Sequence, residues 1–273
     1  MRNAIKYYYD IEVSELEYKG NNYIFGKYML KRVQNEINLE IYNYFLSNNL
    51  YLHKIIYNRN NQIYTVINEY KYVLYYMEKI PNIDLKLISS FLYEVNTQQN
   101  ILWYKLWEDK VDYYEKISIS LSDINYKNVF PYYIGLSENA IKYYKENNME
   151  VKYSFSHVRI NSNYDYYSPD NIIIDGSMRD IAEYIKYAFF NDQLDEYEMN
   201  LFLSNLNVTR ADYIQLYSRL MFPTYFYDCI ELNENINKYI SKIIDYENLL
   251  CKIYYIIIKK VDIPRIDWLI KKI

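Results

Sequence analysis

The sequence predicts an α+β chain of two lobes: an N-terminal antiparallel sheet with one packed helix over residues 1–80, then a mostly helical lobe over 81–273. Three observations carry this. Short runs of aromatic and β-branched residues, separated by Asn- and Gly-bearing turns, fill the first lobe. Pro81 breaks that pattern. Beyond it, apolar residues recur every three or four positions, which is the helical period.

Element by element, Leu16-Glu17-Tyr18 and Tyr23-Ile24-Phe25 flank Lys19-Gly20-Asn21-Asn22, a hairpin signal in which Gly and Asn supply positive φ. Lys27 to Val33 reads as a third strand. Ile37, Ile41, Tyr44 and Phe45 place a helix over 35–47. A second hairpin is expected from Leu52–Tyr57 and Ile63–Ile67 around Asn58-Arg59-Asn60-Asn61. Tyr72 to Met77 is a continuous apolar run, as in a strand buried on both faces. Together these predict a five-stranded sheet. Helices are expected over Ile83–Val95, Trp103–Leu121, Ser137–Asn147 (with Ser137 as N-cap), Arg179–Phe190, Arg210–Met221 and Asn235–Lys260. Val151–Ile160 alternates like a strand, and Ile172-Ile173-Ile174 is a short buried one. A sheet lobe, a short hinge and a helical lobe holding a small strand pair form a protein-kinase-like layout.

Composition narrows the function classes. The chain holds 39 Tyr and 4 Gly among 273 residues, and 51% of it is hydrophobic, enough for a sizeable core. The tyrosines sit among Ile and Leu at helix and strand spacing, so they read as core with a wet edge and not as a low-complexity tract. Net charge is −4 with basic residues scattered, which argues against nucleic-acid binding. Cys229 and Cys251 form no metal or redox spacing and are expected to be buried hydrophobes. No stretch resembles a signal peptide or reaches the roughly 18 apolar residues of a membrane span, so a cytoplasmic location is expected. Two histidines, His53 and His157, cannot furnish a histidine-based metal site. Walker A, nucleophile-elbow and dinucleotide glycine motifs are absent from the sequence.

The helical lobe carries a sharper pattern. His157-Val158-Arg159-Ile160-Asn161 ends a strand, and Tyr167-Ser168-Pro169-Asp170-Asn171-Ile172-Ile173-Ile174-Asp175 follows. Then come Arg179-Asp180-Ile181-Ala182-Glu183, Arg219 to Asp228, and Ile263-Pro264-Arg265-Ile266-Asp267-Trp268. In that order, and with Phe130 to Leu136 before them, these segments resemble the YutH-like and CotS-like spore coat proteins. That group is a branch of the aminoglycoside phosphotransferase and choline kinase superfamily of low-GC Gram-positive bacteria.

The resemblance implies a catalytic loop with a His-x-Asp motif and an Asn five positions beyond the Asp, using ATP and magnesium. His157 matches the His, but Arg159 stands at the Asp position and Tyr164 at the Asn position. An arginine keeps its proton and cannot serve as a general base. Asp175 resembles a magnesium ligand, and Asp180, beside Arg179, resembles a brace of the catalytic loop. Lys31 resembles the lysine that holds nucleotide phosphates, with Glu36 or Glu40 as its helix partner. Arg159 is expected to pair with Asp175 or Asp180. The resemblance therefore implies a degenerate, pseudokinase-like protein near the spore coat, acting by binding or scaffolding, with an unidentified protein or small molecule as its partner. An active phosphotransferase using Asp165 or Asp170 as base, and a ligand-free structural protein, are the two alternatives.

Overall fold

The computed structural model describes residues 1–19, 22–33, 35–91, 93–95, 103–120, 124–146, 152–160, 162–232, 235–267 and 269. The chain divides into two compact units, Met1–Ile83 with His157–Ile173, and Asp84–Ser156 with Ile174–Ile273.

The first unit is built on an antiparallel sheet. Its strands are β1 (Glu17–Lys19), β2 (Asn22–Phe25), β3 (Tyr28–Arg32), β4 (Lys54–Ile56), β5 (Tyr64–Ile67) and β6 (Tyr70–Tyr76). They run in the order β1-β2-β3-β6, and β4 and β5 both pair with the free edge of β6. The sheet thus has six strands, where five were expected. β4 and β5 do not form the expected hairpin with each other. Asn58 folds the link between them into a loop: its Oδ1 accepts from the amides of Asn60 and Gln62 at 2.9 and 3.0 Å, and its Nδ2 reaches Tyr64 O at 3.1 Å. The hairpin lies one strand later, between β5 and β6, where Asn68 and Glu69 take φ of 48° and 69°. Two consecutive positive φ values make the tight turn whose twist matches the strands.

Side chains alternate across the sheet, so register decides what each face holds. Asn22 opposes Lys31, and Lys31 opposes Val73, which puts these residues with Tyr75 on one face. The other face carries Phe25, Leu30, Tyr72 and Leu74, packed with Ile67 and with Ile5 of a helix α1 (Arg2–Tyr9) that the pattern analysis did not foresee. Helix α2 runs over Leu39–Ser47, shorter than the expected 35–47, because Asn38 caps it by accepting from the amides of Glu40 and Ile41.

The second unit is mostly helical. It contains α3 (Leu85–Ser90), α4 (Trp103–Ser120), α5 (Ile124–Glu146), α6 (Arg179–Phe190), α7 (Glu196–Asn205), α8 (Arg210–Met221), α9 (Thr224–Glu231), α10 (Asn237–Ser241) and α11 (Ile243–Ile257). Two further strands, β7 (Tyr153–His157) and β8 (Ile172–Gly176), pair with each other. Helix α5 runs unbroken through Pro131, so Ser137 is mid-helix and not an N-cap; its Oγ donates to Tyr133 O at 2.7 Å. Burial of Phe130, Tyr133, Leu136 and Ala140 along one stripe overrides the proline. Cys229 is buried as expected, while Cys251 is half-buried with its Sγ donating to Leu269 O at 2.7 Å. No helix among the described residues is long and apolar enough to cross a membrane.

Candidate functional site

Two charged clusters, one in each unit, hold the residues that the sequence singles out. In the first unit, β3 presents Lys31 on the sheet face opposite α1. Its Nζ lies 3.1 Å from Asp165 Oδ1 and 2.9 Å from Asp170 Oδ2. Burial disfavours the Lys31 ammonium, but Asp170 and Asp165 more than offset this, and its pKa stands above the ordinary lysine value. Asn22, opposite Lys31 in the sheet, donates from Nδ2 to both Asp165 oxygens at 3.1 and 3.2 Å. Tyr75, on the same face, donates its hydroxyl to Asp170 Oδ1 at 2.7 Å.

Glu36 and Glu40 do not take the role expected of them. Glu36 lies outside α2 and pairs with Lys71 on the surface, and Glu40 is an exposed first-turn residue of α2. Helix α2 begins at residue 39, too late in the chain for Glu36 to ride on it.

The segment bearing the two aspartates is fastened to the sheet by a histidine not foreseen as functional. The amide of His53 donates to Tyr167 O at 2.9 Å, and its Nε2 donates to Tyr164 O at 2.9 Å. His53 Nδ1 is then the acceptor for Tyr51 Oη at 3.3 Å. Burial drives the His53 pKa down to about 4, against the Tyr164 hydrogen bond, and the nearby Lys31 charge lowers it further. His157 works in parallel. It is fully buried, donates from Nε2 to Tyr166 O at 2.8 Å, and stacks on the Tyr166 ring with centroids 4.2 Å apart. Asn171 closes the loop, accepting from Arg159 N at 3.1 Å and donating to Arg159 O and Asp165 O at 2.9 and 3.2 Å.

Arg159 is half-exposed, and its Nη1 donates to Val158 O at 2.8 Å.

In the second unit, Asp175 at the end of β8 is fully buried. Its Oδ2 receives Arg179 Nη1 at 2.5 Å, its Oδ1 receives Arg219 Nη2 at 2.7 Å, and Oδ1 also accepts from the Gly176 amide at 2.5 Å. Arg179 opens α6 and Arg219 comes from α8, whose residues 211–221 are all buried. Arg219 was visible only as part of a longer similar segment, and its pairing with Asp175 has no local signal. Its guanidinium lies 5.8 Å from the Trp107 ring, which in turn stacks on Phe222 at 4.5 Å. A Cβ at Gly176 would stand 1.7 Å from Gln215 Nε2, so a larger residue there requires the Gln215 amide, whose Oε1 accepts from the Met178 amide at 2.9 Å, to move. Asp180 sits fully buried in the first turn of α6. Asn161 and the Trp103 and Trp268 side chains lie outside the described residues.

The groups needed for ATP and magnesium do not fit this arrangement. Both oxygens of Asp175 are committed to two guanidiniums and an amide, and the Lys31 ammonium is committed to two carboxylates. Among the described residues, no group of three or more His, Cys, Asp or Glu side chains is placed to hold a metal ion.

A family model described as "Spore coat putative kinase YutH" matches residues 3–250. The chain belongs to the spore coat YutH family. A YutH relative, the endospore coat-associated protein YutH of Bacillus subtilis, is 28% identical over 227 residues, which are 66% of this chain and 65% of that protein. The chain thus spans about two thirds of the length of this curated relative. Among solved structures, an aminoglycoside phosphotransferase from Alicyclobacillus acidocaldarius superposes with a TM-score of 0.62 at 10% identity, over 93% of this chain and 96% of that one. A spectinomycin phosphotransferase bound to AMP superposes with a TM-score of 0.56 at 16% identity, over 96% and 94%. The expected kinase-like phosphotransferase fold is therefore the fold of this YutH-family chain.

Proposed function

We propose that this YutH-family chain is a pseudokinase of the spore coat, acting by binding or scaffolding and not by transferring phosphate. One observation carries the reading: the charges that resemble the phosphate-holding lysine and the magnesium-holding aspartate are both neutralised inside the chain. Arg159 adds to it, since the position that resembles the catalytic base carries a permanent cation. Phosphoryl transfer depends on positioned charge, and a chain that spends its cation and its carboxylate on itself has neither to offer a nucleotide. Association with the endospore coat is proposed from the relative's name.

The test is to incubate the purified chain with ATP, magnesium or manganese, and a panel of amino alcohols, sugars and aminoglycosides. We expect no acceptor-stimulated ADP release, because loss of the base alone costs on the order of a hundredfold or more. Acceptor-stimulated release that Lys31→Met abolishes would overturn the proposal in favour of an active phosphotransferase.

A further inference from the structure

Helices α4 and α5 are neighbours within the second unit. Glu108, near the start of α4, pairs with Lys145, near the end of α5, at 2.7 Å, so the two helices run antiparallel. The groove between them has a volume of about 390 Å³, room for several side chains. Its floor is apolar, made by Val111 of α4 and Ile141 of α5, 5% and 7% exposed. Asp112, beside Val111, and Glu138, one turn before Ile141, are exposed and flank that floor. The second lysine of the groove, Lys142, pairs with Glu146 at 3.7 Å, so two of the four carboxylates are neutralised. Asp112 and Glu138, one from each helix, are left over, and among the described residues neither forms an ion pair with a basic side chain. Glu115, one turn along α4 from Asp112, extends the same field. Burial raises the Tyr227 pKa to about 12, and Glu115 and Glu138 both push it the same way, which places them on one side of the helix pair. One turn further, Ile119 is 83% exposed.

We infer that the α4–α5 groove is the docking surface for a partner protein, which enters it as a basic amphipathic helix. Two antiparallel helices offer a third one a groove along their length, and an amphipathic helix fills such a groove with its apolar stripe. Here the stripe covers Val111, Ile141 and Ile119. Acidic groups stand on both sides of the floor, so the stripe must be edged on both sides by Lys or Arg: one edge meets Asp112 and Glu115, the other Glu138. A second copy of the chain seated groove to groove would set carboxylates against carboxylates, which charge repulsion disfavours. The inference rests on the reading of the chain as a binding protein, and it names the chemistry of what is bound.

The experiment titrates the full chain into a fluorescein-labelled peptide of leucine and lysine, about 18 residues long so that it forms a helix, with its leucines on one face. Fluorescence anisotropy reads the dissociation constant. Asp112→Lys/Glu138→Lys should weaken binding roughly tenfold or more, since two attractions become two repulsions. Glu15→Lys/Glu198→Lys makes the same change of net charge at exposed acids elsewhere, and should weaken binding less than about twofold, because distant surface charges are screened. A peptide with serine in place of leucine should bind far more weakly to the wild-type chain. If the charge-reversed groove variant loses helical circular dichroism, Asp112→Asn/Glu138→Gln repeats the test with a smaller expected loss. Equal loss in the groove and control variants would mean that net charge alone attracts the peptide, and would overturn the groove. So would undiminished binding of the serine peptide, or a wild-type dimer in sedimentation velocity that the groove variant disperses. Turnover of ATP by the wild-type chain would instead sink the pseudokinase reading, so the two failures are separable.

Discussion

At the scale of single residues, burial decides what each charged group can do. Asp175 illustrates this: in an active kinase-like site its substitution would be felt in catalysis, whereas here it should be felt in folding. Asp175→Asn leaves Arg179 and Arg219, 5% and 3% exposed, facing each other without their shared counter-charge. Breaking one side of such a buried pair costs about 3–5 kcal/mol, so urea denaturation should show a loss of that size. A loss under about 1 kcal/mol, the range of surface pairs, would mean the cluster is solvated. His53 gives a pH-dependent counterpart. The unfolded chain takes up a proton near pH 6.5 that the folded chain refuses until about pH 4. Stability is therefore full above pH 6.5 and falls as pH drops through that window, by up to about 3 kcal/mol. His53→Gln, which keeps an amide donor, should flatten the slope of unfolding free energy between those two pH values. A slope unchanged by the substitution would assign it to other groups.

At the scale of elements, what was legible in the sequence is what local chemistry encodes. Helices α6 and α8 have the limits that periodicity gives, and α8 carries a full capping box, Thr209 Oγ1 accepting from the Asp212 amide while Asp212 accepts from Thr209. The features that escaped have weak or distant signals. Helix α1 has neither a side-chain cap nor an acidic first turn, and it is held by the sheet it covers. The Lys31 cluster joins strands to a loop far along the chain, Asn22 and Asp165 being 143 positions apart, a distance no local pattern spans. The β5–β6 turn was overlooked because it contains no glycine. Glu69 at φ 69° bears the steric cost of the left-handed region, about 1–2 kcal/mol for an L-residue. Glu69→Gly removes that cost and adds unfolded-state entropy, for a net gain of about 0.5–1 kcal/mol. Differential scanning calorimetry should show a higher melting temperature; a lower one would mean the Glu69 side chain contributes more than its backbone costs.

At the scale of the whole molecule, tyrosine does the work that leucine and phenylalanine do in most cores, and it adds a hydroxyl that must be satisfied. Four buried rings meet that demand by reaching backbone carbonyls: Tyr114 to Tyr227 O, Tyr133 to Tyr239 O, Tyr217 to Leu250 O and Tyr246 to Leu220 O, at 2.6 to 3.2 Å. Each such phenol also carries a cost when ionised. Burial raises the pKa of Tyr75, Tyr217 and Tyr246 well above the ordinary value of 10, and that of Tyr227 to about 12. Tyr7, Tyr18 and Tyr197, by contrast, are 61%, 62% and 75% exposed. The unfolded chain releases phenol protons near pH 10 while the folded chain retains the buried ones, so stability is full below that pH and declines as pH rises. Tyr227 alone, with its pKa at about 12, contributes about 2 kcal/mol to this decline by pH 12. Titration of the phenolate absorbance should therefore proceed in two waves, a reversible one from exposed rings and a second that coincides with loss of helical circular dichroism. A single smooth wave with the helical signal intact would show that the buried hydroxyls ionise inside the folded chain, and that their carbonyl partners do not hold them protonated.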